Sequence, residues 1–227
     1  MTIDVSNLVF SYSGNLQNAV LRIDSWHVAR GQKLFLYGPS GSGKSTLLNV
    51  LAGIVRPQEG KVRLLDQSFS ELSARKRDQF RARHIGVVFQ QFNLVPYLSV
   101  LENIFLAAHF AKKTRAEVEQ CANEFLRRLA LEPGLLSQRA DSLSVGQQQR
   151  VAIVRALINQ PEILIADEPT SALDSDTRDQ FMQLLLDCIS ESEMTLVFVS
   201  HDKSLMSHFS DSLDLVGLNQ CEPRDAT

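Results

Sequence analysis

The chain predicts an α/β fold with a mostly parallel sheet, an antiparallel β portion at its N-terminus and an inserted helical segment. Three observations carry this. Short apolar runs of strand length recur at Lys33–Tyr37, Ile85–Phe89, Ile163–Ala166, Leu196–Val199 and Leu213–Val216, and helical patterns separate several of them. Residues 3–10 and 20–28 alternate apolar with polar, the period of half-buried antiparallel strands. From about Gln91 to about Ser142 the pattern changes: Val100–Lys112 and Arg115–Leu131 are amphipathic at helical spacing, and no strand pattern intervenes.

In chain order, the N-terminal alternating segments come first. Lys33–Tyr37 then reads as a buried strand ending in glycine, and Thr46–Ile54 as a helix. The 227 residues suffice for one domain over 1–227, with a core of 1–90 and 143–227 interrupted by the insertion at about 91–142. The residues from Asn219 onward read as a frayed end.

Composition excludes several classes. Hydrophobic residues make up 44% and charged residues 22%, ordinary for a globular chain. A net charge of -3 gives no electrostatic case for nucleic acid or an anionic membrane surface. No window approaches about 18 consecutive apolar residues, so no membrane-spanning helix is expected. The first residues lack the basic-then-apolar layout of a signal peptide. Cys121, Cys188 and Cys221 are odd in number and far apart, which suits reduced packing residues.

The strand before and the helix after give meaning to Gly38-Pro39-Ser40-Gly41-Ser42-Gly43-Lys44-Ser45. Its glycines let backbone N–H groups curl around an anion, and the helix adds its positive N-terminal end. Lys44 then reaches β- and γ-phosphates, and the Ser45 hydroxyl ligates Mg²⁺. The pattern predicts a phosphate-binding loop for a nucleoside triphosphate.

Asp167 and Glu168 close the apolar run 163–166. A carboxylate at a strand tip beside a phosphate loop suits the Mg²⁺ shell, directly or through water. Glu168 is placed to polarise a water for in-line attack on the γ-phosphorus. His201 follows Leu196–Val199, at the strand end where ligands of α/β folds collect. His27, His84, His109 and His208 carry no such context. Gln90 ends Ile85–Phe89 and opens the helical insertion, where an amide can touch Mg²⁺ or the attacking water. Tyr12, in a Ser-Tyr-Ser-Gly turn, allows two roles: a ring stacked on adenine, or an aromatic packed on the core.

With Leu143-Ser144-Val145-Gly146-Gln147 added, the chain resembles the nucleotide-binding subunits of the ABC (ATP-binding cassette) family over nearly its whole length. Gly38–Ser45 matches that family's Walker A loop, Gln90 its Q-loop, Leu143–Gln147 its signature and Ile163–Asp167 its Walker B strand. Glu168 matches the catalytic glutamate, Ser171-Ala172-Leu173-Asp174 the D-loop and His201 the switch histidine. Tyr12 falls where the family stacks an aromatic on adenine. One departure stands out: Val145 replaces the glycine usual in the signature.

The resemblance implies an ATPase with ATP and Mg²⁺ as its cofactors, and a head-to-tail homodimer formed on ATP binding. Each ATP would lie between Tyr12, residues 38–46 (Thr46 included) and Gln90 of one copy, and Ser144, Gly146 and Gln147 of the other. The catalytic set would be Glu168, His201, Lys44 and Gln90, and the Mg²⁺ set Ser45, Gln90 and Asp167. A short helix after the signature would aim its positive end at the γ-phosphate. Gly86-Val87-Val88-Phe89-Gln90-Gln91-Phe92-Asn93-Leu94-Val95-Pro96, with Arg75–Arg83 before it and Leu98–Ile104 after it, resembles the lipoprotein-release, macrolide-export and cell-division group (LolD, MacB, FtsE). That group implies a separate integral-membrane permease with few spans and a large outer domain, and a peripheral position on the cytoplasmic face of the cell membrane. Phe92, Leu94, Pro96, Tyr97 and Leu98 are candidates both for docking that permease and for filling the insertion's small core. Two other functions compete: a scaffold whose ATP-driven dimerisation gates a partner enzyme outside the membrane, and an ATPase acting on DNA or the ribosome. The second usually carries paired cassettes, coiled coils, zinc modules or basic extensions, none of which is in this sequence, so no nucleic acid is expected.

Overall fold

A computed structural model describes residues 1–171, 173–190 and 192–223. In chain order the elements are β1 (Ile3–Phe10), β2 (Leu21–Val28), β3 (Lys33–Tyr37), α1 (Lys44–Leu51), β4 (Glu59–Leu64), α2 (Ala74–His84), β5 (Ile85–Val88), α3 (Val100–Phe110), α4 (Arg115–Arg128), α5 (Val145–Leu157), β6 (Ile163–Asp167), α6 (Ser175–Ser190), β7 (Thr195–Val199), β8 (Asp211–Asp214) and α7 (Leu215–Leu218). The α/β class and the antiparallel-plus-parallel division follow the sequence expectation. Two compact units form: Met1–Arg81 together with the chain from Thr195 onward, and Ala82–Met194.

In the first unit, β1 pairs antiparallel with β2 and with β4. The alternation of β1 and β2 buries Ile3, Val5, Leu21, Ile23 and Val28 completely. Each such side chain contributes roughly 1.5–3 kcal/mol on leaving water. The register of β1 against β4 shifts between Ser6 and Val9, with Asn7 at φ 50°. That irregularity resets the phase, so that Leu8, Val9 and Phe10 are all buried. β4 is absent from the sequence expectation because its only buried residues are Val62 and Leu64, among charged neighbours. The same unit holds three parallel strands in the order β7-β3-β8, and Phe35 and Phe198 stack across β3 and β7 with ring centroids 6.2 Å apart.

The expected strand at Leu213–Val216 is corrected. β8 ends at Asp214, whose carboxylate accepts the N–H of Val216 and starts a helical turn instead. The expected frayed end is corrected at Asn219, which is buried and hydrogen-bonded on several sides; residues 224–227 lie outside the described residues. Local composition signalled a tail, and the long-range partners were invisible to it.

In the second unit β5 pairs parallel with β6. Residues 91–142 contain α3 and α4 and no strand longer than an isolated bridge. Both helices open with capping boxes, Ser99 with Glu102 and Thr114 with Glu117. Their apolar faces bury Val100, Ile104, Ala108, Val118, Ala122 and Leu126 completely. Among the described residues no helix is long and apolar enough to cross a membrane.

Candidate functional site

The first unit builds the loop. β3 delivers the chain at Tyr37 and α1 takes it up at Lys44. Gly41 at φ 76° and Gly43 at φ 98° adopt the left-handed region that folds the loop back on itself. A side chain on Gly43 would meet Leu21 Cδ2 at 2.8 Å. Gly43 is the N-cap of α1 and offers no side-chain acceptor, so the helix's first N–H groups lack the usual capping oxygen. Lys44 Nζ donates to the carbonyls of Gly38 and Pro39, both at 2.8 Å. Pro39, Ser40, Gly41 and Ser45 are exposed, whereas Ser42 and Thr46 are buried. The hydroxyl of Ser42 is buried without a hydrogen-bond partner. Open helix N–H groups, a lysine resting on its own loop and an orphaned hydroxyl fit a polyphosphate.

The loop is braced by a residue that the sequence reading missed. Asn219 Nδ2 donates to the Ser42 carbonyl at 3.0 Å and to the Val20 carbonyl at 2.9 Å, and its Oδ1 accepts the N–H of Arg22 at 2.9 Å. No local pattern could have found it.

Strand register brings His201 to the same edge of the unit. β3 and β7 pair in parallel with Leu36 opposite Val199. Gly38 and His201 each follow two residues later, at the C-terminal ends of adjacent strands. Asp202, next to His201, caps the following turn by accepting from the Ser204 N–H at 3.0 Å. Tyr12 is 64% exposed. Its hydroxyl lies 3.3 Å from Thr46 Oγ1, and its ring meets Phe10 edge-on at 4.9 Å. The ring is thereby presented beside the loop's helix.

The second unit repeats the logic. Val88 of β5 stands opposite Ala166 of β6, so Gln90 and Glu168 each emerge two residues beyond a paired couple. Gln90 is exposed, and Asp167 is half-buried as the last residue of β6. Glu168 holds φ 44°, a left-handed conformation costly for a side-chain-bearing residue. The turn is closed by the Ser171 N–H donating to the Glu168 carbonyl at 3.2 Å. Strain of this kind concentrates at functional positions. Oxygen donors such as Ser45 and Asp167 are the type that Mg²⁺ takes. Of the D-loop match, Ala172 lies outside the described residues.

The signature residues open a helix. Ser144 is the N-cap of α5: its hydroxyl accepts the Gln147 N–H at 3.3 Å while Gln147 Oε1 accepts the Ser144 N–H at 2.9 Å. The expectation of a short helix after the signature is corrected, because α5 begins inside it, at Val145, and runs for 13 residues. The capping box explains the early start. Val145 is 52% exposed on that first turn, and no atom lies within 4 Å of a Cβ built on Gly146. The departure from glycine therefore disturbs no packing.

Comparison with known proteins gives a consistent answer. The pattern of the family described as ABC transporter matches residues 21–171. An uncharacterized ABC transporter ATP-binding protein of Mycobacterium tuberculosis is 38% identical over 218 residues, covering 95% of this chain and 87% of that protein. The lipoprotein-releasing system ATP-binding protein LolD of Syntrophotalea carbinolica is 39% identical over 204 residues, 89% of each. Among solved structures, the dimeric cassette MJ0796 of Methanocaldococcus jannaschii superposes with a TM-score of 0.82 at 34% identity, covering 99% of this chain and 100% of that one. A post-hydrolysis dimer of the same cassette, bound to ADP and Pi, superposes with a TM-score of 0.80 over 94% of both chains.

Proposed function

The chain belongs to the ABC transporter family as an ATP-hydrolysing subunit, and from that premise we propose that two copies close head to tail around two ATP molecules. The 1–227 chain acts as one cassette, with 1–90 and 143–227 as core and about 91–142 as the helical insertion. The observation that carries the reading is the loop from Gly38 to Ser45. Its left-handed glycines and uncapped α1 terminus make an anion cradle, and Lys44 rests on two neutral carbonyls that it can leave for the phosphates.

In this reading Tyr12 stacks on adenine and the N–H groups of residues 40–46 hold the α- and β-phosphates. Lys44 leaves the Gly38 and Pro39 carbonyls for the β- and γ-oxygens. Ser45, Gln90 and Asp167 would hold Mg²⁺, Asp167 directly or through water, and the ion would supply positive charge against the triphosphate. Glu168 accepts the proton of the attacking water, and His201 holds the γ-phosphate side of the site. In the partner copy, Ser144, Gly146 and Gln147 face the same γ-phosphate with the N-terminal end of α5 behind them. Loss of that phosphate removes the bridging ligand, so ATP favours the closed state and hydrolysis releases it.

The relatives described as ABC transporter ATP-binding proteins and as LolD support coupling to a separate membrane permease. The cassette then sits at the cytoplasmic face, driving export, lipid, lipoprotein or peptide extraction, or transmembrane motion. The test is affinity capture from detergent-solubilised native membranes with tagged Glu168→Gln and ATP. Recovery of a permease with few spans and a large outer domain supports the reading. Recovery of ribosomal or DNA-bound partners alone overturns the transport assignment.

A further inference from the structure

The N-terminus of α5 carries the signature, and its body reaches two other loops of the same unit. Gln149, buried in the middle of α5, donates its amide to the carbonyl of Pro169, just after Glu168. Arg155, near the other end, donates Nη1 to the carbonyl of Asn93 at 2.6 Å and Nη2 to that of Phe92 at 2.5 Å. Both acceptors lie in the loop opened by Gln90.

That loop is strained where Arg155 holds it. Phe92 at φ 49° and Asn93 at φ 51° are consecutive left-handed residues, and neither is glycine. Such conformations persist only where surrounding contacts over-determine them. A planar guanidinium offers parallel N–H donors in a fixed fork, suited to two adjacent carbonyls. Among the described residues no carboxylate pairs with Arg155, and burial draws its pKa down from the ordinary arginine value. The guanidinium is half-buried, and its two hydrogen bonds to backbone carbonyls offset that cost.

We infer that Arg155 is a positioning residue. It locks the left-handed Phe92–Asn93 turn onto α5, so that Gln90 and the signature cap at Ser144 move as one body. The inference rests on the proposed roles of Gln90 and Ser144 at the nucleotide. It adds that their relative placement is set by a fork of hydrogen bonds with no contact to ATP.

The test compares the full-length protein with Arg155→Lys and Arg155→Gln by hydrogen exchange, nucleotide binding and steady-state hydrolysis. In Arg155→Gln, amides in residues 92–95 should exchange about tenfold faster, the change that losing one charge-assisted hydrogen bond brings. The rest of α5 should keep its protection. Affinity for a non-hydrolysable ATP analogue should stay within about twofold, while kcat falls about ten- to a hundredfold, as misplacement of about 1 Å does. Arg155→Lys, which keeps the charge and one hydrogen bond, should fall between; it also stands in if Arg155→Gln does not fold. Unchanged exchange at 92–95, or exchange raised throughout the unit with kcat intact, overturns the inference. Gln90→Ala separates the two readings. If it hydrolyses ATP at the wild-type rate, the role of Gln90 fails, whereas the local exchange result still decides whether Arg155 holds the turn.

Discussion

The side-chain amide of Asn219 donates to the carbonyl of Ser42 3.0 Å away, across 177 residues of sequence. With its bonds to Val20 and Arg22, it ties the phosphate loop to the start of β2. Asn219→Ala should therefore weaken ATP binding about tenfold, since one or two buried hydrogen bonds of about 1 kcal/mol each hold the loop. Asn219→Asp should weaken it further. It keeps the acceptor for Arg22 but loses both donors and sets a carboxylate beside the phosphates. Calorimetric titration with ATP checks the order; equal affinities in the two variants would sink it.

Lys44 contributes in a different way. Its ammonium rests on two carbonyls at the exposed rim of the loop, so removing it costs the apo fold little. Lys44→Ala should lower ATP affinity by a hundredfold or more, a loss of about 3 kcal/mol typical of a charge-assisted hydrogen bond. The melting temperature without nucleotide should shift by no more than about 2 °C. Unchanged nucleotide affinity would remove the phosphate-loop assignment.

Glu168 joins a chemical role to a backbone constraint. Glu168→Gln should bind ATP, hydrolyse it at least about a hundredfold more slowly, as loss of a general base does, and accumulate as a closed dimer on size exclusion. The φ of 44° adds a second expectation. Glu168→Gly should be equally inactive yet more stable than Glu168→Ala by about 1 kcal/mol, because glycine adopts that region freely. Urea unfolding of the two variants compares them directly. Alanine proving the more stable would mean that the surrounding turn, and not the glutamate, sets the angle.

What could be read from sequence was what is local. The phosphate loop lies in eight consecutive residues, and the strands that lead to Gln90, Glu168 and His201 are short apolar runs. Their parallel pairing then follows from the α/β alternation. The antiparallel strand β4 was illegible because only Val62 and Leu64 face the core. Asn219 looked like tail because its partners are far away in sequence. Arg155 drew no reading from the sequence, since a guanidinium bonded to backbone carbonyls leaves no compositional trace. Val145, in contrast, was legible as a departure, but its exposed place on the first turn of α5 was not.

Three exposed carboxylates predict an acid limb of stability. Glu102, Glu117 and Asp174 are each held below their ordinary values, first by backbone N–H groups at Ser99, Thr114 and Thr177 and then by the hydroxyls of those residues. A depressed folded-state pKa contributes stability above the unfolded value and loses it as pH falls through the folded one. The contribution is thus complete at neutral pH and fades as pH falls below the ordinary carboxyl range. A triple variant, Glu102→Gln, Glu117→Gln and Asp174→Asn, should be less stable than wild type at neutral pH. The gap should narrow at a second pH, chosen in acid below the ordinary carboxyl range, where the wild-type carboxyls themselves take up protons. Urea midpoints at both pH values decide it: a gap that persists in acid would assign the difference to shape and not to charge.

Ser144 serves as a helix cap within one chain and, in the proposed dimer, as a contact for the other chain's nucleotide. The two roles separate by substitution. Ser144→Ala removes the acceptor for the Gln147 N–H and should cost about 1 kcal/mol of stability. Ser144→Asp keeps a good cap, so stability should recover, but a carboxylate aimed at a γ-phosphate should block closure. Ser144→Arg should likewise leave ATP binding to the monomer nearly intact and prevent the dimer. Val145→Gly should restore the usual signature at little cost, since the valine is half exposed at the first helical position, with a loss under about 1 kcal/mol. Sedimentation of each variant in the Glu168→Gln background with ATP reads closure directly. If Ser144→Asp dimerises as well as the parent, the hydroxyl does no more than cap α5, and the shared nucleotide site must be sought on another part of the second unit.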